Sequence, residues 1–188
     1  MKILTCFFAA TLISHAAPEA IFDGRSLAGW KTAGAVVWTA ADGVLTGTSN
    51  EKKQGSILWT EKEYADFVLS CEFRFEGKID SGVFLRHEND QIQIGISGSL
   101  KRDMTASPYI VGKGYPVEAK GVAELLKEGE WNTMKITAKG AVYNVELNGK
   151  EVMTYTSETA KEKGPVGFQM HGGVVMKVDF RAITLASL

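Results

Sequence analysis

Cysteine is almost missing from this chain: Cys6 and Cys71 are the only two, and Cys6 lies in an N-terminal segment expected to be removed. A lone Cys71 excludes an intramolecular disulfide, and its place in the alternating run Phe67-Val68-Leu69-Ser70-Cys71-Glu72-Phe73 predicts a buried thiol rather than a nucleophile. Neither a Gly/Ser linker nor a low-complexity tract interrupts the chain. A Cys/His cluster, an EF-type loop and a glycine-rich phosphate cradle are all absent, so no tightly held structural metal is indicated. A single divalent ion held by His and loop carboxylates is the one cofactor left open. Charge of one sign is not in excess either. With Lys2 set aside, 20 basic residues face 22 acidic ones, a net charge of about −2 that points to neither nucleic acid nor an anionic membrane surface as partner.

A long apolar run occurs once, from Ile3 to Ile13, behind Lys2 and ahead of Ser14-His15-Ala16-Ala17. A short basic start, an apolar stretch and small residues at a cleavage point make a secretory leader, expected over residues 1–16. The run is too short to span a bilayer as a helix. The remainder, residues 17–188, is expected to be a single exported domain, periplasmic or secreted.

Short alternating runs separated by Gly, Asn and Asp dominate that remainder. Val36–Trp38 and Val44–Thr46 flank Ala41-Asp42-Gly43, and Val142–Leu147 meets Glu151–Tyr155 across Asn148-Gly149, a pair that favours a type I′ hairpin turn. Further strands are expected at Gly55–Thr60, Phe67–Glu76, Val83–Arg86, Trp131–Ala138, Val166–Met170 and Val174–Ala186. Helix is expected only over Ala119–Glu128, and Ser97–Val117 reads as one long loop over a sheet face. The fold class is all-β, a sandwich of antiparallel sheets.

The densest polar stretch is Asp80 to Ile96. Ile92, Ile94 and Ile96 alternate with Gln91, Gln93 and Gly95, giving one core face and one amide-lined face. Arg86, His87, Glu88, Asn89 and Asp90 crowd the connection just before it.

Phe22-Asp23-Gly24-Arg25-Ser26-Leu27-Ala28-Gly29-Trp30, Asp80-Ser81-Gly82-Val83-Phe84-Leu85-Arg86 and Gln91-Ile92-Gln93-Ile94 belong to a longer series. Gly129-Glu130-Trp131-Asn132, Leu147-Asn148-Gly149, Gly167-Phe168-Gln169-Met170-His171 and Asp179-Phe180-Arg181-Ala182-Ile183 complete it. Together these resemble the 3-keto-disaccharide hydrolase domain family, whose fold is a concanavalin A-like jelly-roll sandwich. Two positions depart from the family pattern: Gln91 stands where a Glu is usual, and Ala182 where an Asn is usual.

The resemblance implies a disaccharide or glucoside substrate already oxidised at C3 by a separate sugar 3-dehydrogenase. A C3 ketone acidifies the C2 hydrogen, so a base can remove it, the C1 substituent can leave, and water can add back at C1. Such chemistry needs a base, a donor for the ketone oxygen and groups that hold the ring. His171 and His87 are the only histidines beyond the leader, and His171 shares a face with Gln169. His171 is a base or a turn-closing residue; His87 is a site residue or a solvated loop residue. Arg86 polarises the ketone oxygen or pairs with Asp80 or Asp90. Gln91, Gln93 and Gln169 are candidate ring holders, with Lys101, Asp103 and Tyr109 reaching in from the long loop; Tyr115 is a further stacking platform. Trp30, Trp38, Trp59 and Trp131 are either platforms or core. An ordinary glycosidase needs two carboxylates on the floor, and Gln91, Gln93 and Gly95 supply none. A non-catalytic sugar-binding domain is the alternative from another class.

Overall fold

The computed structural model describes residues 17–188; the expected leader lies outside them. Fourteen strands and one helical turn make up these residues, in the order β1 (Glu19–Ala20), β2 (Trp30–Gly34), β3 (Trp38–Ala41), β4 (Val44–Thr48), β5 (Ser56–Thr60), β6 (Phe67–Phe75), β7 (Asp80–Leu85), β8 (Asp90–Gly95), β9 (Pro108–Ile110), α1 (Val122–Leu125), β10 (Asn132–Lys139), β11 (Val142–Leu147), β12 (Lys150–Thr156), β13 (Val166–Met170) and β14 (Lys177–Ser187). They form two antiparallel sheets. The eight-stranded sheet runs β12-β11-β10-β6-β14-β4-β3, with β1 also on β14, and the six-stranded sheet runs β2-β5-β13-β7-β8-β9. The all-β sandwich is as the alternation predicts, and its jelly-roll form is as the resemblance implies.

Strict period-two burial places the core between the sheets. Along β6 the buried positions are Phe67, Leu69, Cys71, Phe73 and Phe75, with the residues between them half-exposed. They meet Val83, Leu85, Ile92, Ile94, Val166 and Phe168 of the other sheet, all fully buried. Phe168 and Phe180 span the two layers with ring centroids 4.5 Å apart. Each such side chain contributes about 1.5–3 kcal/mol through burial.

β14 changes phase midway. Val178 and Phe180 point inward, then Ile183 and Leu185 do, so one extra residue is absorbed between them. The register with β6 shifts at that point and Ala182 takes a left-handed φ of 48°, a β-bulge that keeps both halves of the strand facing the core. Both expected hairpins close as their sequences require: Asp42-Gly43 and Asn148-Gly149 each have two successive positive φ values, the signature of a type I′ turn.

Three boundaries differ from expectation. The helix is one turn rather than nearly three, because Gly121 opens it in a left-handed conformation, Leu126 is already extended, and none of its residues is buried to stabilise it. The long loop contains the edge strand β9, paired to β8 through Tyr109↔Gln91. Val36, expected in a strand, is 89% exposed and lies outside β3.

Candidate functional site

The outer face of the six-stranded sheet carries the amide-lined side of β8. Cross-strand register sets its side chains in rows. Lys31, Trp59, Gly167, Phe84, Gln91 and Tyr109 form one row; Ala33, Ile57, Gln169, Gly82 and Gln93 form the next. Asp80 lies one step further along β7, and His171 continues the alternation of Gly167 and Gln169 past the end of β13.

Above this face the segments around Ser97–Lys101, Tyr109–Tyr115 and His171–Val174 rise as walls of a cleft of about 630 Å³, the largest of three described. Gln91, Gln93 and Asp80 are therefore nearly buried, at 4%, 2% and 6% exposure, although they sit on the outside of the sheet. Buried amides need partners, and here a carboxylate and two backbone carbonyls order them, the Ser81 carbonyl accepting from Gln91 Nε2 at 3.2 Å and the Ile96 carbonyl from Gln93 Nε2 at 3.3 Å. Asp80 is an acceptor-only carboxylate, and its Oδ1 takes a bond from Gln93 Nε2 at 2.9 Å. Gln93 Oε1 must then accept, and it does so from Gln91 Nε2 at 3.3 Å. Gln91 Nε2 also donates to Gln169 Oε1 at 2.8 Å, which fixes the third amide. The chain leaves Asp80 Oδ2, Gln91 Oε1 and Gln169 Nε2 without partners among the described residues, an alternation of acceptors and a donor suited to sugar hydroxyls. Gly82 makes room for it, since a Cβ there would lie 2.0 Å from Gln91 Nε2.

His171 stands at the cleft's exposed edge, its backbone N–H bonded to the Asp80 carbonyl at 3.2 Å. Its Nδ1 lies 2.7 Å from the Gly172 carbonyl oxygen, which can only accept. The proton therefore sits on Nδ1 in the neutral ring, and Nε2 keeps its lone pair. Lys101 lines the same cleft, as do Glu88 and the T-shaped pair Tyr109 and Tyr115, whose ring centroids are 5.2 Å apart. Burial raises the pKa of Tyr115, so this phenol stays a neutral donor and acceptor.

Three sequence candidates lie elsewhere. Arg86 turns to the end of the sandwich, where Nε bonds Ala65 O, Nη1 bonds Gly140 O and Lys161 O, and Nη2 bonds Ala138 O and Asp66 Oδ1. Its side chain is wholly buried, and it staples the end of β7 to the β10–β11 turn instead of facing a ketone. His87 Nε2 lies 3.4 Å from Asp90 Oδ1 but has no hydrogen-bond partner among the described residues, beside a buried group in which the Tyr143, Ser157 and Thr159 hydroxyls donate to Asp90. Asp103 caps its own turn by accepting from the Thr105 N–H at 2.7 Å and lines a different pocket. Sequence reasoning missed Asp80 as a floor residue and Phe84 beside it. Their alternation with Gly82 was the available signal, obscured by treating Asp80 as an ion-pair partner for Arg86.

Among the described residues no three His, Cys, Asp or Glu side chains converge to hold a metal ion. Cys71 is a core residue, as expected; burial pushes its thiol up to about 12. Trp30 and Trp38 are core residues as well, whereas Trp131 lies on the opposite sheet under Arg74 and Arg181 at 4.6 and 4.1 Å.

Solved structures of low sequence identity share this β-sandwich fold. A Parabacteroides distasonis protein provisionally described as a glycosyl hydrolase superposes with a TM-score of 0.69 at 18% identity, covering 91% of this chain and 94% of its own. A second such protein of that organism gives 0.61 at 23% identity, over 85% and 99%. The carbohydrate-binding module CBM66 from Bacillus subtilis gives 0.57 at 15% identity, over 85% and 96%. No curated protein sequence matches significantly. Residues 17–186 match the family model for the 3-keto-alpha-glucoside-1,2-lyase-like domain, and the chain belongs to that family.

Proposed function

We propose that this domain cleaves the glycosidic bond of 3-keto-glycosides by elimination across C1 and C2 followed by hydration. The observation that carries the proposal is the meeting, in one cleft of a chain of this family, of a histidine with a free Nε2 and an ordered amide floor. His171 Nε2 takes the C2 proton. The electron pair of the C2–H bond forms the enolate, whose C3 oxygen is met by the Lys101 ammonium and the Gln169 amide N–H. The enolate then re-forms the ketone, the C1–O bond breaks, and its electron pair leaves on the aglycone oxygen, which takes a proton from the imidazolium. Water adds to C1 of the resulting enone, and C2 regains a proton. Gln91, Gln93 and Asp80 hold the ring. Arg86 has no part in this step, since all five of its hydrogen bonds go to protein oxygens.

The leader expected over residues 1–16 supports action outside the cytoplasm, in the periplasm or beyond, on sugars oxidised by a separate 3-dehydrogenase. One observation favours a second reading, a sugar-binding domain without turnover: position 91 carries an amide where the family pattern usually has a carboxylate. Incubating the mature protein with 3-keto-trehalose, 3-keto-sucrose and an aryl 3-keto-glucoside, with and without divalent metal and beside the unoxidised sugars, separates the two. Loss of only the keto forms, reduced by about 10²–10⁴ in His171→Ala, supports the enzyme. Sugar binding without cleavage supports the second reading.

A further inference from the structure

The sheet face that floors the cleft continues past the amides, beyond the residues that line the cleft itself. In the row that contains Gln91, the next strand carries Phe84, then Gly167, then Trp59. Gly167 has no side chain, and the indole occupies its place: a Cβ there would lie 2.5 Å from Trp59 Cε3 and 2.6 Å from Cζ3. Trp59 thus reaches across β13 over Gly167, half-buried, its centroid 5.5 Å from the buried Phe84 ring and tilted 32° to it. Unlike Trp30 and Trp38, it points away from the core, on the face that holds the cleft.

We propose that this Phe84 and Trp59 shelf is a second subsite that binds a planar aromatic aglycone, with the sugar held over Gln91, Gln93 and Gln169. The inference rests on the elimination reading for its reactive half. Register separates the two halves. Trp59 lies two alternate-residue rows from Asp80 and His171, about 14 Å along the strands between backbones, and its indole reaches over Gly167 on the strand that leads to Gln169 and His171.

The chemistry of the shelf argues for an aromatic ring over a second sugar. A pyranose needs donors and acceptors for several hydroxyls, as the Gln and Asp floor provides. Around Trp59 the same face offers Gly167, Ile57 and Ala33, and the polar side chains beside it are Lys31, at the outer edge of the row, and Gln169, next to Ile57 on the side of the amides. A flat apolar ledge meets an aromatic ring face to face in an offset stack and leaves no hydroxyl unpaired. On the opposite side of the cleft Val111, 52% exposed, and Val174 line the wall, so apolar surface frames the opening as well.

Two measurements test the shelf. In the first, kcat/KM is compared for phenyl and methyl 3-keto-glucosides in the wild type, Trp59→Ala and Trp59→Phe; the ratio cancels the better leaving ability of phenol. Trp59→Ala is expected to lower the phenyl-to-methyl ratio about five- to tenfold, while Trp59→Phe holds it within about twofold. An unchanged ratio in Trp59→Ala overturns the proposal. In the second, wild-type protein is titrated with unoxidised phenyl and methyl glucosides, and the Trp59 indole N–H, identified by its loss in Trp59→Phe, is followed by NMR. A shift with phenyl but not methyl glucoside supports the shelf; no shift with either, or equal shifts with both, overturns it. Should no 3-keto-glycoside be turned over, the elimination reading fails, and the indole titration still decides the subsite.

Discussion

Gln93 Nε2 donates to Asp80 Oδ1 across 2.9 Å between adjacent strands, and that bond joins those from Gln93 Nε2 to the Ile96 carbonyl and from Gln91 Nε2 to the Ser81 carbonyl in setting the amides of the cleft floor. An Asn at position 80 presents either an oxygen or an NH2 group, so the floor loses its charged acceptor while the two carbonyl bonds remain. Asp80→Asn is expected to lower kcat/KM on order of 10- to 100-fold, mainly through KM, with Tm nearly unchanged. Equal kinetics in the variant would falsify the ordering role.

Arg86 is expected to matter for stability rather than turnover. Arg86→Met strips donors from Ala65, Ala138, Gly140 and Lys161 carbonyls and from Asp66, at a cost of about 3–5 kcal/mol. Thermal unfolding should drop on the order of 10 °C. A fall in kcat with Tm preserved runs against this placement.

Ala182 holds a left-handed φ of 48° at the β14 bulge, where a Cβ costs about 1–2 kcal/mol unless a short polar side chain bonds locally. The position is exposed, so an Asn side chain fits in solvent. Ala182→Asn is expected to raise stability by about 0.5–1 kcal/mol in urea unfolding; a loss of stability would mean the bulge tolerates alanine without strain.

Asp179 makes stability depend on acid. Burial raises its pKa, but hydrogen bonds from Arg74 and Thr46, with the nearby Lys177 charge, outweigh it and hold the carboxyl below its ordinary 3.8. A depressed folded pKa contributes stability that is present above the unfolded value and lost as pH falls through the folded one. Asp179→Asn is expected to be less stable than wild type by about 1 kcal/mol at neutral pH, with the gap closing as pH falls below 3.8. A gap that stays constant down to about pH 2 contradicts the linkage.

Hydrophobic alternation and the turn residues between the runs were enough to read the sandwich, both tight hairpins, the buried Cys71 and the inward isoleucines of β8, because period-two burial and turn chemistry are local properties of the chain. The amide face of Gln91 and Gln93, and the pairing of Gln169 with His171, were legible for the same reason. Arg86 and His87 were not: they follow β7 directly, where alternation ends, and an Arg with φ of 66° turns its guanidinium toward carbonyls 20 to 75 residues away in sequence. The one-turn helix escaped because nothing packs on it tightly enough to extend it.

Sequence alone determined which residues face inward along each strand, and with them the fold class and family. Only the tertiary structure decided which outward residues share a site. Cross-strand register brings Asp80, Gln91 and Gln169 together from three strands, and long-range register depends on packing between segments distant in the chain, which no local pattern encodes.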